Sequence, residues 1–262
     1  MTDSAYGAEL PPWARVVLPV VGLALLVALW QLLAVAVVAD STLLPTPLQM
    51  ASNLWNWIAG GGFLQHLLAT LAGTLGGLAI GASLGFAAGV LVGEVKALDR
   101  SVYPMVLALQ AMPVVAIAPL VIVWFGIGLA SKVALVAIGT FFVMFVHTVS
   151  GMHAAAAELI DMCRAFGGTR WRIVFAVKVR LALNYVFSGL EVCAALSFIL
   201  CVVGEFIAAD NGLGYYIKAS SSNIDAAGMF AAVAVLAALA SLLALVVRVA
   251  HRRVVFWQFR KP

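Results

Sequence analysis

The chain has 262 residues, of which 65% are hydrophobic and only 10% charged, against roughly 25% charged in ordinary soluble domains. Side chains this apolar cannot be covered by their own polar surface, which excludes an ordinary soluble domain and makes lipid the solvent for most of the molecule. The formal charge of +4 would suit nucleic acid, but its distribution along the chain points elsewhere.

A spanning helix needs about 20 mainly apolar residues, and open sheet cannot face hydrocarbon. Six such runs are expected, over 16–39, 67–93, 102–125, 132–151, 183–207 and 228–250. The strict alternation of membrane strands is absent. The expectation is therefore an all-α integral membrane protein, with a tail over 1–15, a membrane domain over 16–250 and a basic tail over 251–262. With the N-terminus inside, the inward segments hold thirteen Lys and Arg residues and the outward ones two, Lys132 and Lys218. That asymmetry places both termini in the cytoplasm and accounts for the charge without nucleic acid.

In chain order, the first run is too long for a signal-peptide core and reads as a retained span, although Ala34-Val35-Ala36 resembles a cleavage site. Between 40 and 66, Pro45 and Pro47 give an extended entry. Leu48, Leu54, Trp55 and Ile58 then recur at helical spacing, so a short helix on the outer surface is expected, with Trp55 and Trp57 suited to the interface. In the second span Gly73, Gly77, Gly81, Gly85, Gly89 and Gly93 stand four apart. This stripe lets another helix approach closely. It serves either packing within one subunit or contact between subunits or sliding helices.

Gly126-Ile127-Gly128 with Lys132 is a poor imitation of a phosphate-binding loop and reads as a tight turn. No true ATP motif occurs. The inward loop 152–182 reads as helix, turn and helix: a helix over 154–166 with Leu159, Met162, Cys163 and Phe166 on one face and Asp161 able to pair with Arg164. Gly167-Gly168 can cap it, and Thr169 can start the next helix. An apolar stripe outside the bilayer suggests a partner.

On the fifth span Asn184, Glu191, Phe198 and Glu205 are spaced by seven, with Ser188 nearby. A charge at mid-membrane costs about 2.5–3.5 kcal/mol on insertion scales, so this face should meet protein or water. Path lining or gating, or structural hydrogen bonds, both satisfy it; His147 similarly reads as a core histidine or a solute contact. Two acids fit a small anion poorly and a neutral or cationic heterocycle better. Cys163, Cys193 and Cys201 and the histidines at 66, 147, 153 and 251 have no metal-ligand spacing, so no metal is expected.

The stretch 158–171, Glu-Leu-Ile-Asp-Met-Cys-Arg-Ala-Phe-Gly-Gly-Thr-Arg-Trp, resembles the "EAA loop" of binding-protein-dependent ABC importer permeases, in the nitrate, taurine, alkanesulfonate and thiamine-pyrimidine-precursor branch. Leu44-Pro45-Thr46-Pro47, the segments 112–120 and 124–132, and Gly204-Glu205-Phe206 followed by Gly212-Leu213-Gly214-Tyr215 are similar to that branch too, in the same order. The chain departs from it at Asp161-Met162-Cys163 in place of Glu-Ala-Ala. It has Val179-Arg180 and Asn184 where prolines are usual, and Glu191 in place of arginine.

The resemblance implies a type I importer (MetI-like) permease fold of six spans, working by alternating access in the bacterial inner membrane. Glu158, Leu159, Asp161, Met162, Arg164, Ala165, Phe166 and Gly167 would then couple to a separate ATPase dimer, which holds ATP and Mg; this chain would carry no cofactor. A second permease subunit, by default identical, and an extracytoplasmic solute-binding protein complete the implied assembly. An ATP-independent transporter or channel, or a membrane enzyme, are the other classes an apolar chain of this kind allows. Internal repeats or a polar catalytic cluster would favour them, and neither is found.

Overall fold

A computed structural model describes residues 14–38 and 43–256, so most of the expected tail over 1–15 and the end of the basic tail, 257–262, lie outside the described residues. Every regular element among them is helical. In chain order these are α1 (Ala14–Leu32, continued by a π-helical turn Leu33–Val38), α2 (Pro47–Ala59), α3 (Phe63–Glu94), α4 (Lys96–Gln110), α5 (Ala118–Phe125), α6 (Leu129–His153), α7 (Ala157–Ala165), α8 (Arg170–Ile207), α9 (Leu213–Ser222) and α10 (Ala226–Val254).

Helices α3, α6, α8 and α10 are each long and apolar enough to cross a bilayer, and α4 with α5 passes as a fifth span only as a pair bent by 82°. The apolar part of α1, Val20–Ala36, is shorter. The described residues thus supply four or five full spans against the six expected. The third run, 102–125, is not one straight helix. Pro113 has no N–H to donate and disfavours helix at Met112, so α4 ends at Gln110 and the chain restarts as a 3₁₀ turn, Val114–Ile117. Pro119, at the start of α5, is placed where proline is tolerated.

The glycine stripe of α3 lies against α6. Gly77 faces Val136, Gly81 faces Ala137 and Thr140, Gly85 faces Phe141 and Met144, Gly89 faces Thr148, and Gly93 faces Met152. An added Cβ at Gly89 would stand 2.6 Å from Thr148 Cβ, and one at Gly93 would stand 2.8 Å from Met152 Cβ. Gly73, at the other end, meets Cys201 of α8 and Lys132 of α6. Helix α8 approaches α6 in the same manner, through Gly139 under Leu200, Gly151 under Ala182 and Gly189 under His147.

Helix α2 starts on a capping box, in which the Thr46 hydroxyl accepts from Gln49 N–H and the Gln49 side chain accepts from Thr46 N–H, with Pro47 in the first turn. Trp55 is exposed, as an interface residue would be. Trp57 is not: its ring stacks on Tyr216 at 3.7 Å and meets Phe63 edge-on at 5.0 Å. It is a core residue tying α2 to α9, because it falls on the opposite face of the helix from Trp55. Helix α1 joins the bundle through Trp30, which stacks on Phe230 and donates to the Pro45 carbonyl at 3.0 Å.

This packing predicts that Gly85→Leu, which must displace the Phe141 backbone, destabilises the detergent-solubilised protein by about 1–3 kcal/mol or more. Gly22→Leu, at a site with nothing within 4 Å, should leave the melting temperature unchanged. Equal thermal shifts for the two variants would contradict the packing.

Candidate functional site

Two regions carry the residues singled out by the sequence: the segment joining α6 to α8, and the faces of α8. In the first, α6 ends at His153, and Ala154 to Ala156 turn the chain, with Ala156 extended. The short helix of this segment is therefore α7, Ala157–Ala165, shorter at its start than the 154–166 expected, because the alanines form the corner. Asp161 and Arg164 pair at 3.0 Å. Both are exposed, so the pair contributes a few tenths of a kcal/mol at most.

Gly167 follows with φ +74°, a left-handed conformation costing most other residues about 1–2 kcal/mol, and its N–H donates to the Arg164 carbonyl. The Thr169 hydroxyl accepts from Arg172 N–H at 3.4 Å and opens α8. Leu159, Met162 and Phe166 are exposed, Phe166 to 85%. With Cys163, Val177 and Leu181 they border an open apolar groove of about 590 Å³.

The second half of the segment is continuous with the fifth span. Helix α8 runs 38 residues through Val179-Arg180 without a break and widens into π-helical turns over Ile173–Lys178. Glu94, at the end of α3, grips this stretch by accepting from Arg170 Nε at 3.1 Å and Lys178 Nζ at 2.8 Å. His153 lies 3.3 Å from Asp99 of α4.

Of the five residues proposed along α8, only Ser188 is exposed. Asn184 and Glu191 flank His251 of α10, whose ring nitrogens stand 3.0 Å from Asn184 Oδ1 and 3.1 Å from Glu191 Oε1 and whose ring stacks on Phe187. Phe198 and Glu205 are buried within the chain. The outward face is offset by one residue and carries Tyr185, Ser188, Val192, Ile199 and Phe206.

Glu205 is fully buried among partners that the sequence reading did not assemble. Its carboxylate accepts from Lys132 Nζ at 3.1 Å, Thr70 Oγ1 at 2.9 Å and Gly214 N–H at 2.8 Å. Lys132, itself only 2% exposed, also donates to the Asn211 carbonyl at 2.7 Å. Thr70 accepts from Leu213 N–H, and Gly212 N–H donates to His66. A side chain at Gly212, where φ is +126°, would run into the Glu205 carboxylate. One signal for this knot was present in the sequence: the expected topology puts Lys132, one of two basic residues in its outward segments, near the same membrane face as Glu205, so an acid in apolar surroundings there has few cations to meet.

Residues 77–257, which include the segment joining α6 to α8 and all of α8, match the family described as "Binding-protein-dependent transport system inner membrane component". The chain belongs to this family. It is 37% identical to the riboflavin transport system permease protein RibX of Chloroflexus aurantiacus, over 94% of this chain and 91% of that one. It is 29% identical to the formylaminopyrimidine transport permease protein ThiX of Halalkalibacterium halodurans, over 82% and 85%. To the taurine transport system permease protein TauC of Escherichia coli it is 27% identical, over 93% and 90%. Among solved structures, inward-facing MetNI methionine ABC transporter is similar in fold, with a TM-score of 0.58 at 20% identity, over 80% of this chain and 98% of that one.

The protein is thus a multi-pass permease subunit of an ABC importer with the MetI-like fold, and ATP hydrolysis is the work of a partner subunit. In this permease the Lys132–Glu205 pair predicts a specific stability pattern. Lys132→Met strands a buried carboxylate and should cost about 3–5 kcal/mol. Lys132→Met combined with Glu205→Gln should recover much of that loss. Thermal unfolding of the single and double variants checks this, and additive losses would show that the two side chains do not act as a pair.

Proposed function

We propose that α7 is the coupling helix of this permease, and that Glu158, Leu159, Asp161, Met162, Arg164, Ala165, Phe166 and Gly167 dock into a groove on a separate ATPase carrying ATP and Mg. The observation that carries this is the exposure of Leu159, Met162 and Phe166 on a short helix held outside the spanning bundle. Three large apolar side chains in water are a cost that a docked partner removes. Glu94 with Arg170 and Lys178 ties the first turns of α8, which follow α7 directly, to α3, so a push on α7 reaches the bundle through α8.

The assembly is two copies of this chain around one path, with two ATPases inside the cell and a solute-binding protein outside. The exposed stripe Tyr185, Ser188, Val192, Ile199 and Phe206 then lines the path or faces the second copy, while Asn184, Glu191, Phe198 and Glu205 set its shape from behind. Both termini lie in the cytoplasm of the inner membrane, as the distribution of thirteen basic residues against two favours.

The solute is an uncharged aromatic heterocycle. No Lys or Arg occurs between Arg180 and Lys218, and Lys132 is already committed to Glu205, so α8 offers an anion nothing along its membrane-crossing part. Tyr185 and Phe206 suit flat rings, and the relatives named for riboflavin and a formylaminopyrimidine agree with that class. A sulfonate or taurine, named for other relatives, is the alternative.

Two measurements test the reading. Met162→Glu/Phe166→Ala should cut recovery of the ATPase with tagged permease at least about tenfold, the loss expected from two interface anchors, while permease yield stays unchanged. Undiminished recovery removes α7 from the interface. For the solute, the cognate binding protein should take up flavin or pyrimidine and ignore taurine; the reverse preference overturns the assignment.

A further inference from the structure

Beside the proposed coupling helix lie two adjoining concavities that share only Arg164 with the proposed docking residues. One, of about 570 Å³, is bordered by Lys96, Arg164, Arg170 and Lys178, with Glu94 the carboxylate among them. Glu94 is shared between Arg170 and Lys178, and Asp161 answers Arg164, so positive charge is left over. Arg170 spends Nε on Glu94, one of the five donors of a guanidinium.

The other concavity, of about 350 Å³, shares Glu94, Val95 and Arg170 with the first and is otherwise apolar, between Val90 and Leu91 of α3 and Trp171, Val174 and Phe175 of α8. Trp171 and Phe175 stack on each other at 5.9 Å and are 72% and 60% exposed.

We infer that this pair of concavities is a binding site for an anionic phospholipid, with the headgroup phosphate in the basic basin and an acyl chain in the apolar groove. The groove opens where the chain is already wet by lipid. Ile80, Leu84, Ala87 and Leu91 form an exposed apolar stripe along the spanning helix α3 and run directly into it. An aqueous protein partner does not reach along that stripe, and a free phosphate would leave the groove and its two aromatic rings uncovered.

The charge sits at the end of that stripe, where a headgroup lies, and a tryptophan marks the boundary between them. Basic clusters beside a spanning helix draw anionic lipid by the same electrostatics. Because Arg170 and Lys178 also tie the start of α8, just after α7, to α3, the lipid would sit beside the proposed coupling segment. The inference goes beyond the coupling proposal and does not need it: α3, α8 and the cations form the site whichever way the protein is oriented.

The test uses the complete permease–ATPase complex in phosphatidylcholine nanodiscs, which carry added lipid on both faces. The Trp171 signal is the difference between the parent complex and its Trp171→Phe variant. Brominated phosphatidylglycerol should quench that signal about twofold more than brominated phosphatidylcholine at the same fraction, as expected for selective recruitment by several cations. Lys96→Gln/Arg170→Gln should abolish the excess, and Lys96→Gln alone, at an exposed position, should reduce it in a complex that still assembles. Equal quenching by the two lipids overturns the inference. So does an excess that survives both substitutions, or one that inorganic phosphate removes when chloride at matched ionic strength does not. Absence of lipid quenching in the assembled complex would assign the aromatic pair to the ATPase instead.

Discussion

In hydrocarbon, two helices gain nothing by hiding leucine from leucine, because lipid tails are as apolar as the side chains they would replace. What holds this bundle together is close approach of backbones, and the contact on which the rest is built is α3 against α6. Five of the stripe glycines sit under successive turns of α6, so each turn of one helix settles against the backbone of the other. Dispersion accumulates over every atom pair brought within range, and it needs no polar group inside the membrane. Helix α8 is added to the same spine by Gly139, Gly151 and Gly189. The three helices therefore form one unit, with α10 and α2 fastened to its side.

Polar groups are distributed to suit. Midway along the helices, Thr140, Thr148 and Ser197 donate their hydroxyls to carbonyls of their own helix, three or four residues back. They satisfy themselves and ask nothing of a neighbour. Charges that cross between elements sit mostly toward the helix ends: Lys132 with Glu205 at one end of α6, and Glu94 with Arg170 and Lys178, and Asp99 beside His153, at the other, while Glu191, inside α8, meets His251 at the end of α10. A buried ion pair is weak evidence for stability. The Glu205 knot earns its place by geometry, because one carboxylate fixes α3, α6, the end of α8 and the turn into α9.

Much of this was legible in residue types alone. A glycine every fourth position can mean little in lipid except a close neighbour, and Pro47, Gly167 and Thr169 mark helix boundaries by backbone chemistry that acts locally. The break in the third run was also written there, in Pro113 and Pro119, but total hydropathy does not distinguish a straight helix from two halves meeting at 82°. Direction was the harder quantity. The period of seven correctly puts Asn184, Glu191, Phe198 and Glu205 on one side of α8, yet a period carries no label for inside or outside. That label comes from His251, Lys132 and Thr70, which lie 60 to 135 positions away in sequence. Trp57 escaped for the same reason: its partner Tyr216 belongs to a distant helix.

The filled stripe also bears on where a permease of this build can move. A row of glycines looks like a track for sliding, but each notch here is occupied by Val136, Thr140, Met144, Thr148 or Met152 of α6. To slip along the helix axis, α3 would have to lift over these side chains one turn at a time, losing all its contacts together; packed interfaces of this kind shift between discrete states and do not creep. The compliant points lie elsewhere. The π-helical turns over Ile173–Lys178 relax the normal hydrogen-bond ladder just after α7, and the chain between Gln110 and Val114 is held by few backbone bonds. Helix α6 joins the two ends, running about 32 Å from Lys132 in the buried knot to His153, where the chain turns towards α7. On the proposed docking at α7, force would act on a stiff three-helix body whose joints are at its margins, an arrangement suited to turning a push on a surface helix into a change of tilt at the far end of the bundle.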